Sequence, residues 1–200
     1  MTPAEKASRT RDALVAAARD RFGEQGYAAT SVDEIVRQAG VTKGALYHHF
    51  ADKEALFRAV VEDVKGSVTA VMAERFLDAT TEPDALDTVI RGCLAFIDLH
   101  RDPAVRRITL LDARSVLDPW TRRELEARYE VAVIRGALRR AANLGVIDPQ
   151  PFGPLAHVLA GGLSEACALL AEVDDEATVR EEIDAVVGRL LAGLRPPTVA

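Results

Sequence analysis

The chain has 200 residues, of which 48% are hydrophobic and 28% charged, so a disordered chain is excluded and an apolar core is available. The net charge of −6 argues against a uniformly basic protein. Residues 1–60, however, hold 9 Lys and Arg against 8 Asp and Glu, so the acidity lies in the remaining 140 residues. The first part of the chain is therefore free to carry a local basic face.

The sequence indicates a reducing, aqueous compartment. Cys93 and Cys167 are far apart and lie in apolar helical patterns, which predicts buried core thiols, with a redox switch as the alternative. We find no secretory h-region and no stretch that approaches the ~18 uncharged apolar residues of a membrane span. We therefore expect a soluble, cytoplasmic protein with no membrane partner.

Helical periodicity is present along the whole chain, and strand signals are nearly absent. Leu14, Ala18 and Phe22 recur every four residues and predict a first helix over about 9–23, with Gly26 as a breaker.

A second helix is predicted to begin where Ser31 and Glu34 have capping-box spacing, with Thr30 and Asp33 as an overlapping alternative. Gly40 is expected to end it in the left-handed conformation. Two residues later, Thr42 fits as the N-cap of a third helix, in which Leu46 and Phe50 point to the core.

Asp52 is predicted to cap a long fourth helix that ends near Phe76. Pro- and Gly-containing breaks then separate five further helices, at about 83–100, 103–117, 120–144, 152–173 and 175–194. The expected fold is all-α, with about nine helices arranged as an N-terminal three-helix bundle containing a helix-turn-helix, followed by a larger C-terminal helical domain.

Residues 30–50 form a helix, a tight turn and a short second helix, which is helix-turn-helix geometry. Gly44 and Ala45 are small enough for the backbone to approach DNA. Donors for phosphates and bases are supplied by Thr42, Lys43, Tyr47, His48 and His49.

The segment 30–53, TSVDEIVRQAGVTKGALYHHFADK, resembles the DNA-binding signature of the TetR family of repressors. The stretch 9–27 is similar to that family's first helix and the turn after it. The resemblance covers about the first 60 residues. It implies a DNA-binding domain over 1–52 and a ligand-binding and dimerisation domain over 53–200.

The resemblance also assigns roles to individual residues of the motif. It implies phosphate contacts for one group and approach to base edges for another: Thr30, Ser31, Tyr47, His48 and Lys53 in the first group, and Thr42, Lys43, Gly44 and Ala45 in the second. The alternative that Tyr47 is a half-buried core residue stays open. No metal is expected at His48 and His49, because adjacent helical residues point about 100° apart.

Two apolar stripes lie on the last two predicted helices. They either pack within their own domain or, as the resemblance implies, form a four-helix bundle between two copies of the chain. The residues predicted at this dimer interface are Leu155, Leu159, Leu163, Leu170, Ile183, Val187 and Leu190.

The middle helices are expected to enclose a pocket for a small molecule, suited to a hydrophobic or aromatic effector. The candidate lining residues are Phe96, Leu99, His100, Leu110, Leu111, Trp120 and Tyr129. His100 is alternatively a solvated cation at a helix C-terminus.

These observations predict a homodimeric repressor that an effector releases from a palindromic operator, with the fourth helix as a lever. The alternative is a DNA-binding regulator or scaffold that acts through protein partners without an effector. No catalytic motif or cofactor-binding motif is present, so neither an enzyme nor a cofactor is expected.

Overall fold

In the computed structural model, which describes residues 2–77 and 85–196, every regular element of the described chain is helical. The predicted all-α fold is confirmed. The elements are α1 (Pro3–Ala29), α2 (Val32–Ala39), α3 (Lys43–His49), α4 (Lys53–Leu77), α5 (Ala85–Leu99), α6 (Pro103–Arg106), a π-helical segment (Arg107–Asp112), α7 (Ala113–Val116), α8 (Pro119–Arg128), α9 (Glu130–Asn143), α10 (Phe152–Leu170) and α11 (Glu176–Ala192).

The first helix is longer at both ends than its apolar periodicity predicts. It begins at Pro3 because Thr2 and Glu5 form a capping box, in which each side chain accepts a hydrogen bond from the other residue's backbone N–H. It also continues through Gly23 to Ala29. Within it, Gly26 has φ +85° and ψ 165° and breaks the helix, as predicted.

The second and third helices begin as the sequence predicts. Ser31 and Glu34 form the capping box of α2, and the Thr42 hydroxyl accepts the N–H of Ala45 at the start of α3. Gly40, with φ +66°, ends α2 in the left-handed conformation. Asp52 caps α4 through a 2.7 Å hydrogen bond from the N–H of Ala55.

The helical run from Pro103 to Val116 is not uniform. Its ends, α6 and α7, are α-helical, but the segment Arg107–Asp112 between them is π-helical, which periodicity did not predict. The predicted helix over 120–144 is likewise divided at Tyr129, where φ is −105° and ψ is −88°. The predicted break between the fourth helix and the helix over 83–100 lies mostly outside the described residues.

Backbone packing divides the chain into two units. The first comprises residues up to 65 together with 102–122, and the second comprises 66–101 together with residues from 123 onwards. Their net charges are +1 and −7 respectively. The boundary predicted between residues 52 and 53 separates a DNA-binding domain from a ligand-binding and dimerisation domain. It is defined by function and not by packing, and it stays a prediction.

The core of the first unit contains a cluster of three aromatic rings. Phe22 and Phe57 meet edge to face with ring centroids 5.2 Å apart, and Tyr27 lies 5.0 Å from Phe57. Helices α1, α2 and α3 pack against one another beside this cluster, and Leu14, Ile35 and Leu46 are completely buried among them. This packing holds the helix-turn-helix in place.

In the second unit, α5 packs against α9, α10 and α11, and α10 packs against α9 and α11. Cys93 lies on α5 and Cys167 on α10, and both are buried in the core of the unit, as predicted. Burial raises the pKa of Cys93 to about 12.

Helix α10 is long and apolar enough, by length and composition alone, to cross a membrane. The expectation that no stretch approaches a membrane span was therefore too strong. Such a helix is weak support for a membrane span, because the core helices of water-soluble proteins meet the same criterion.

Candidate DNA-binding surface

Helix α3 presents a polar face to solvent. Leu46 and Phe50 are buried, as predicted, and so anchor the helix against the first unit. The opposite side exposes the side chains of Thr42, Lys43 and His48, and that of Tyr47 to 49%. Tyr47 is half exposed, so its alternative role as a half-buried core residue stays open.

Lys43 forms an ion pair across the turn between α2 and α3. Its ammonium lies 3.1 Å from a carboxylate oxygen of Asp33, and both side chains are more than half exposed. The hydrogen bond and the charge of Asp33 raise the pKa of Lys43. Sequence reasoning missed this pair, which the tight turn brings together. In the free protein, the ammonium of Lys43 is therefore paired with Asp33.

Ser31 is exposed at the N-terminus of α2, where a phosphate is predicted to bind. Its backbone N–H donates to Glu34 Oε2 at 2.8 Å, and its hydroxyl donates to the same oxygen at 2.7 Å. These two hydrogen bonds lower the pKa of Glu34. Glu34 therefore occupies both donors of Ser31, and a phosphate contact through Ser31 requires that a phosphate oxygen replace this carboxylate.

Thr30 does not face solvent, which contradicts its predicted phosphate contact through the side chain. Only 2% of the residue is exposed. Its hydroxyl donates to the carbonyl oxygen of Gly26 at 2.8 Å, so Thr30 closes the end of α1 instead. Helix α2 is capped by Ser31 and not by the overlapping alternative pair of Thr30 and Asp33.

Lys53 was predicted to contact phosphate, but its ammonium is engaged inside the first unit. It donates hydrogen bonds of 2.7 Å to the carbonyl oxygens of Tyr27 and Thr30. No local sequence signal indicates these partners, because they lie more than twenty residues away from Lys53. Lys53 joins the first turn of α4 to the end of α1.

Comparison with known proteins agrees with this geometry. A family model described as "Bacterial regulatory proteins, tetR family" matches residues 14–60, and one described as "Tetracyclin repressor-like, C-terminal domain" matches residues 86–194. The chain belongs to the TetR family.

Relatives of this TetR-family chain include the transcriptional repressor AcnR of Corynebacterium glutamicum, which is 27% identical over 184 residues, covering 88% of this chain and 96% of that protein. The repressor BepR of Brucella suis is 34% identical over 149 residues, which cover 70% of this chain and 69% of BepR. The crystal structure of a TetR-family regulator from Pectobacterium atrosepticum superposes with a TM-score of 0.79 at 33% identity, over 98% of both chains. As a member of this family, the protein is a DNA-binding transcriptional regulator and not an enzyme.

The residues predicted to line an effector pocket of this TetR-family protein are placed in different surroundings. Leu111 and Trp120 are exposed to 54% and 79%, so neither lines a closed pocket, and their assignment is corrected. Leu110 is buried in the first unit, whereas Phe96, Leu99, His100 and Tyr129 belong to the second.

Phe96 and His100 form a buried pair on α5. Their ring centroids are 4.1 Å apart, and the Nδ1 of His100 is 2.8 Å from the carbonyl oxygen of Phe96. The alternative role of His100 as a solvated helix-end cation is therefore wrong.

The second unit carries an apolar groove of about 380 Å³ between α10 and α11. Leu159, Leu163, Ile183, Val187 and Leu190, all predicted at the dimer interface, line it together. Leu163 forms its buried floor, and Leu170 is buried in the unit rather than available to a second copy. The prediction missed Val158, Leu169 and Val186, whose exposed side chains also border the groove.

No metal-binding cluster of three or more His, Cys, Asp or Glu side chains occurs among residues 2–77 and 85–196. The rings of His48 and His49 are 5.3 Å apart at an interplanar angle of 76°.

Proposed function

We propose that this TetR-family regulator is a homodimeric repressor that binds a palindromic operator through α3 of each copy. The observation that carries the proposal is the division of α3 into a buried side, anchored by Leu46 and Phe50, and an exposed polar side. A helix held in this way can enter a major groove without losing its packing.

The proposed contacts follow the exposure of the side chains. Ser31, Tyr47 and His48 contact phosphates, and four residues of the first turn of α3 approach base edges: Thr42, Lys43, Gly44 and Ala45. Thr30 and Lys53 are left out of the contact set because their side chains bond to backbone carbonyls of the first unit.

A second copy of the chain is the proposed occupant of the groove between α10 and α11. Val158 and Leu190, exposed to 72% and 63%, would be covered by the same two helices of the partner, giving a four-helix bundle. Two copies would present two α3 helices about 34–36 Å apart, which is one turn of the duplex. Doubling the few base contacts of a short helix raises operator affinity.

The test of DNA binding is selection of duplexes from a random library by the purified protein. We expect a palindrome, and strong loss of affinity in Lys43→Ala and Tyr47→Ala. Arg123→Ala serves as the matched control. Arg123 is exposed on α8, and its replacement removes one positive charge, as Lys43→Ala does. Unchanged affinity in both α3 variants would rule out the proposed docking of α3.

The test of dimerisation is the molar mass of Leu190→Glu by light scattering. We expect the monomer mass and weaker operator binding, since a carboxylate in the groove would be buried without a partner. Trp120→Glu introduces the same charge at a more exposed site outside the groove and should remain dimeric. A dimeric Leu190→Glu protein would refute this interface.

We also propose that a small-molecule effector lowers operator affinity and that the protein acts in the cytoplasm. Family membership supports both proposals. The effector must bind the released state better than the DNA-bound state by a few kcal/mol. Titrating the protein–operator complex with substrates and products of enzymes encoded beside its gene tests this. If none changes affinity, regulation through protein partners becomes the better account.

A further inference from the structure

The end of α1 is packed closely against the helical run from Pro103 to Val116 in the first unit. A Cβ on Gly23 would lie 2.7 Å from the Cβ of Ala104, so the close approach requires glycine there. A Cβ on Gly26 would lie 3.4 Å from Asp112 Oδ2 and 3.7 Å from Arg107 Cδ. The side chains of Arg107 and Asp112 therefore converge on the break in α1.

These two side chains replace a hydrogen bond that the break removes. In an unbroken α-helix the N–H of Tyr27 would donate to the carbonyl oxygen of Gly23. Here the N–H of Tyr27 donates to Asp112 Oδ2 at 2.7 Å. The guanidinium of Arg107 donates to the carbonyl oxygens of Gly23 at 2.5 Å and Glu24 at 2.6 Å. One side chain supplies the missing acceptor and the other supplies the missing donor.

The π-helical segment is what places both side chains on one face. Arg107 and Asp112 are five residues apart, at the two ends of this segment. In an α-helix such residues point about 140° apart. In a π-helix the hydrogen bonds join residues five apart, so the two lie close to one turn from each other and face the same way.

The break in α1 bears directly on the helix-turn-helix. Beyond it, the carbonyl oxygens of Tyr27 and Thr30 accept the hydrogen bonds of Lys53, at the start of α4. The next residue, Ser31, is the N-cap of α2. The direction in which the chain leaves α1 therefore sets where α2 and α3 lie.

We propose that Arg107 and Asp112 are positioning residues for DNA binding, which hold α1 broken at Gly26 and thereby orient α2 and α3. This inference rests on the proposed docking of α3 in the operator. Neither residue touches DNA in this account. A change of the segment from π-helical to α-helical hydrogen bonding would turn one of the two side chains away and remove its contact.

The change in operator affinity that the proposal predicts for Asp112→Ala is opposite in sign to the change expected from charge alone. Removing a carboxylate from a DNA-binding protein should strengthen binding to the phosphate backbone. Loss of the acceptor for Tyr27 in Asp112→Ala should instead weaken operator binding, by roughly tenfold, the equivalent of one charge-assisted hydrogen bond. Asp112→Asn keeps an acceptor oxygen and should stay within about threefold of the wild type.

The experiment measures the affinity of full-length variants for a fluorescent duplex that the wild-type protein has selected from a random library. Glu126→Ala is the matched control, because it removes an exposed carboxylate from α8. Arg107→Ala and the Arg107→Ala/Asp112→Ala double variant test coupling, and we expect the double loss to be smaller than the product of the single losses. Hydrogen exchange at the Tyr27 amide, expected to be faster in Asp112→Ala, reports the contact itself.

The outcomes separate the two proposals. If the wild type selects no duplex, the docking of α3 and this inference both fail. If the wild type selects one and Asp112→Ala binds it as well or better, only the inference is overturned. An equal loss in Asp112→Asn and Asp112→Ala would also overturn it, since the acceptor would then be irrelevant. Should Asp112→Ala fail to fold, Arg107→Ala is compared with Arg123→Ala, which also removes one positive charge, and an equal loss of affinity in the two variants would overturn the inference.

Discussion

The ammonium of Lys53 lies 4.1 Å from the centre of the Tyr27 ring and donates a 2.7 Å hydrogen bond to the carbonyl oxygen of the same residue. Burial lowers the pKa of Lys53, and the nearby charge of Asp112 acts in the opposite direction. The cation thus satisfies carbonyls at the end of α1 and contacts an aromatic face at the same time. A lysine that resembles a phosphate ligand in the sequence is, in the free protein, a structural cap.

Lys53→Met should lower the free energy of unfolding by about 2 kcal/mol, because two hydrogen bonds from a charged donor and one cation–π contact are lost. Lys6→Met is the control, since Lys6 is exposed on α1. Urea denaturation of both variants checks the prediction. A Lys53→Met protein as stable as the control would mean that the ammonium contributes nothing to the end of α1.

Gly44→Ala should weaken operator binding without destabilising the fold. An added Cβ on Gly44 would approach only Thr42 Oγ1, at 3.9 Å, so the free protein has room for it. Alanine in a helix is favoured over glycine by up to about 1 kcal/mol, so stability should rise slightly. The loss of affinity would arise because the methyl group keeps the first turn of α3 from the bases.

The matched control for Gly44→Ala is Gly136→Ala. Gly136 is exposed on α9, and an added Cβ there has no neighbour within 4 Å. Both variants should unfold at a slightly higher urea concentration, and only Gly44→Ala should bind DNA more weakly. Equal DNA affinity in the two variants would show that α3 does not approach the duplex at this residue.

Asp33→Asn should strengthen DNA binding by a few-fold, because it releases Lys43 from its 3.1 Å ion pair. The fold should change little, since exposed ion pairs contribute at most about 1 kcal/mol. Operator affinity at a fixed salt concentration and the free energy of unfolding in urea give the check. Glu126→Gln, which neutralises an exposed carboxylate on α8, should leave both quantities near the wild-type values.

The free energy of unfolding should fall as the pH rises from about 9 towards 12, through Cys93. The thiol has a pKa of about 12 when buried in the folded protein, against an ordinary value of 9.0. Between these values the unfolded state binds fewer protons than the folded state, so stability decreases with increasing pH. Cys93→Ala should show a shallower decline over this range. Identical slopes would contradict the burial of this thiol.

The helix-turn-helix was predictable because its signals are local. Ser31 and Glu34, or Thr42 and the N–H of Ala45, are three residues apart, so one turn of backbone brings them together in any fold that contains the helix. The burial of Leu46 and Phe50 follows from the same periodicity. The start of α1 at Pro3 has a local signal too, in Thr2 and Glu5, which apolar periodicity alone does not detect.

By itself, then, the sequence determined the all-helical fold, the caps of α2, α3 and α4, and the polar face of α3, since each depends on hydrogen bonds and side-chain directions within a turn or two. The tertiary structure alone decided that Thr30 and Lys53 turn inward, that Trp120 faces water, and that Arg107 and Asp112 meet the break in α1 from more than eighty residues away. Such contacts depend on which elements pack together, and hydrophobic burial, which drives that packing, is non-directional and leaves no mark at a fixed spacing in the chain.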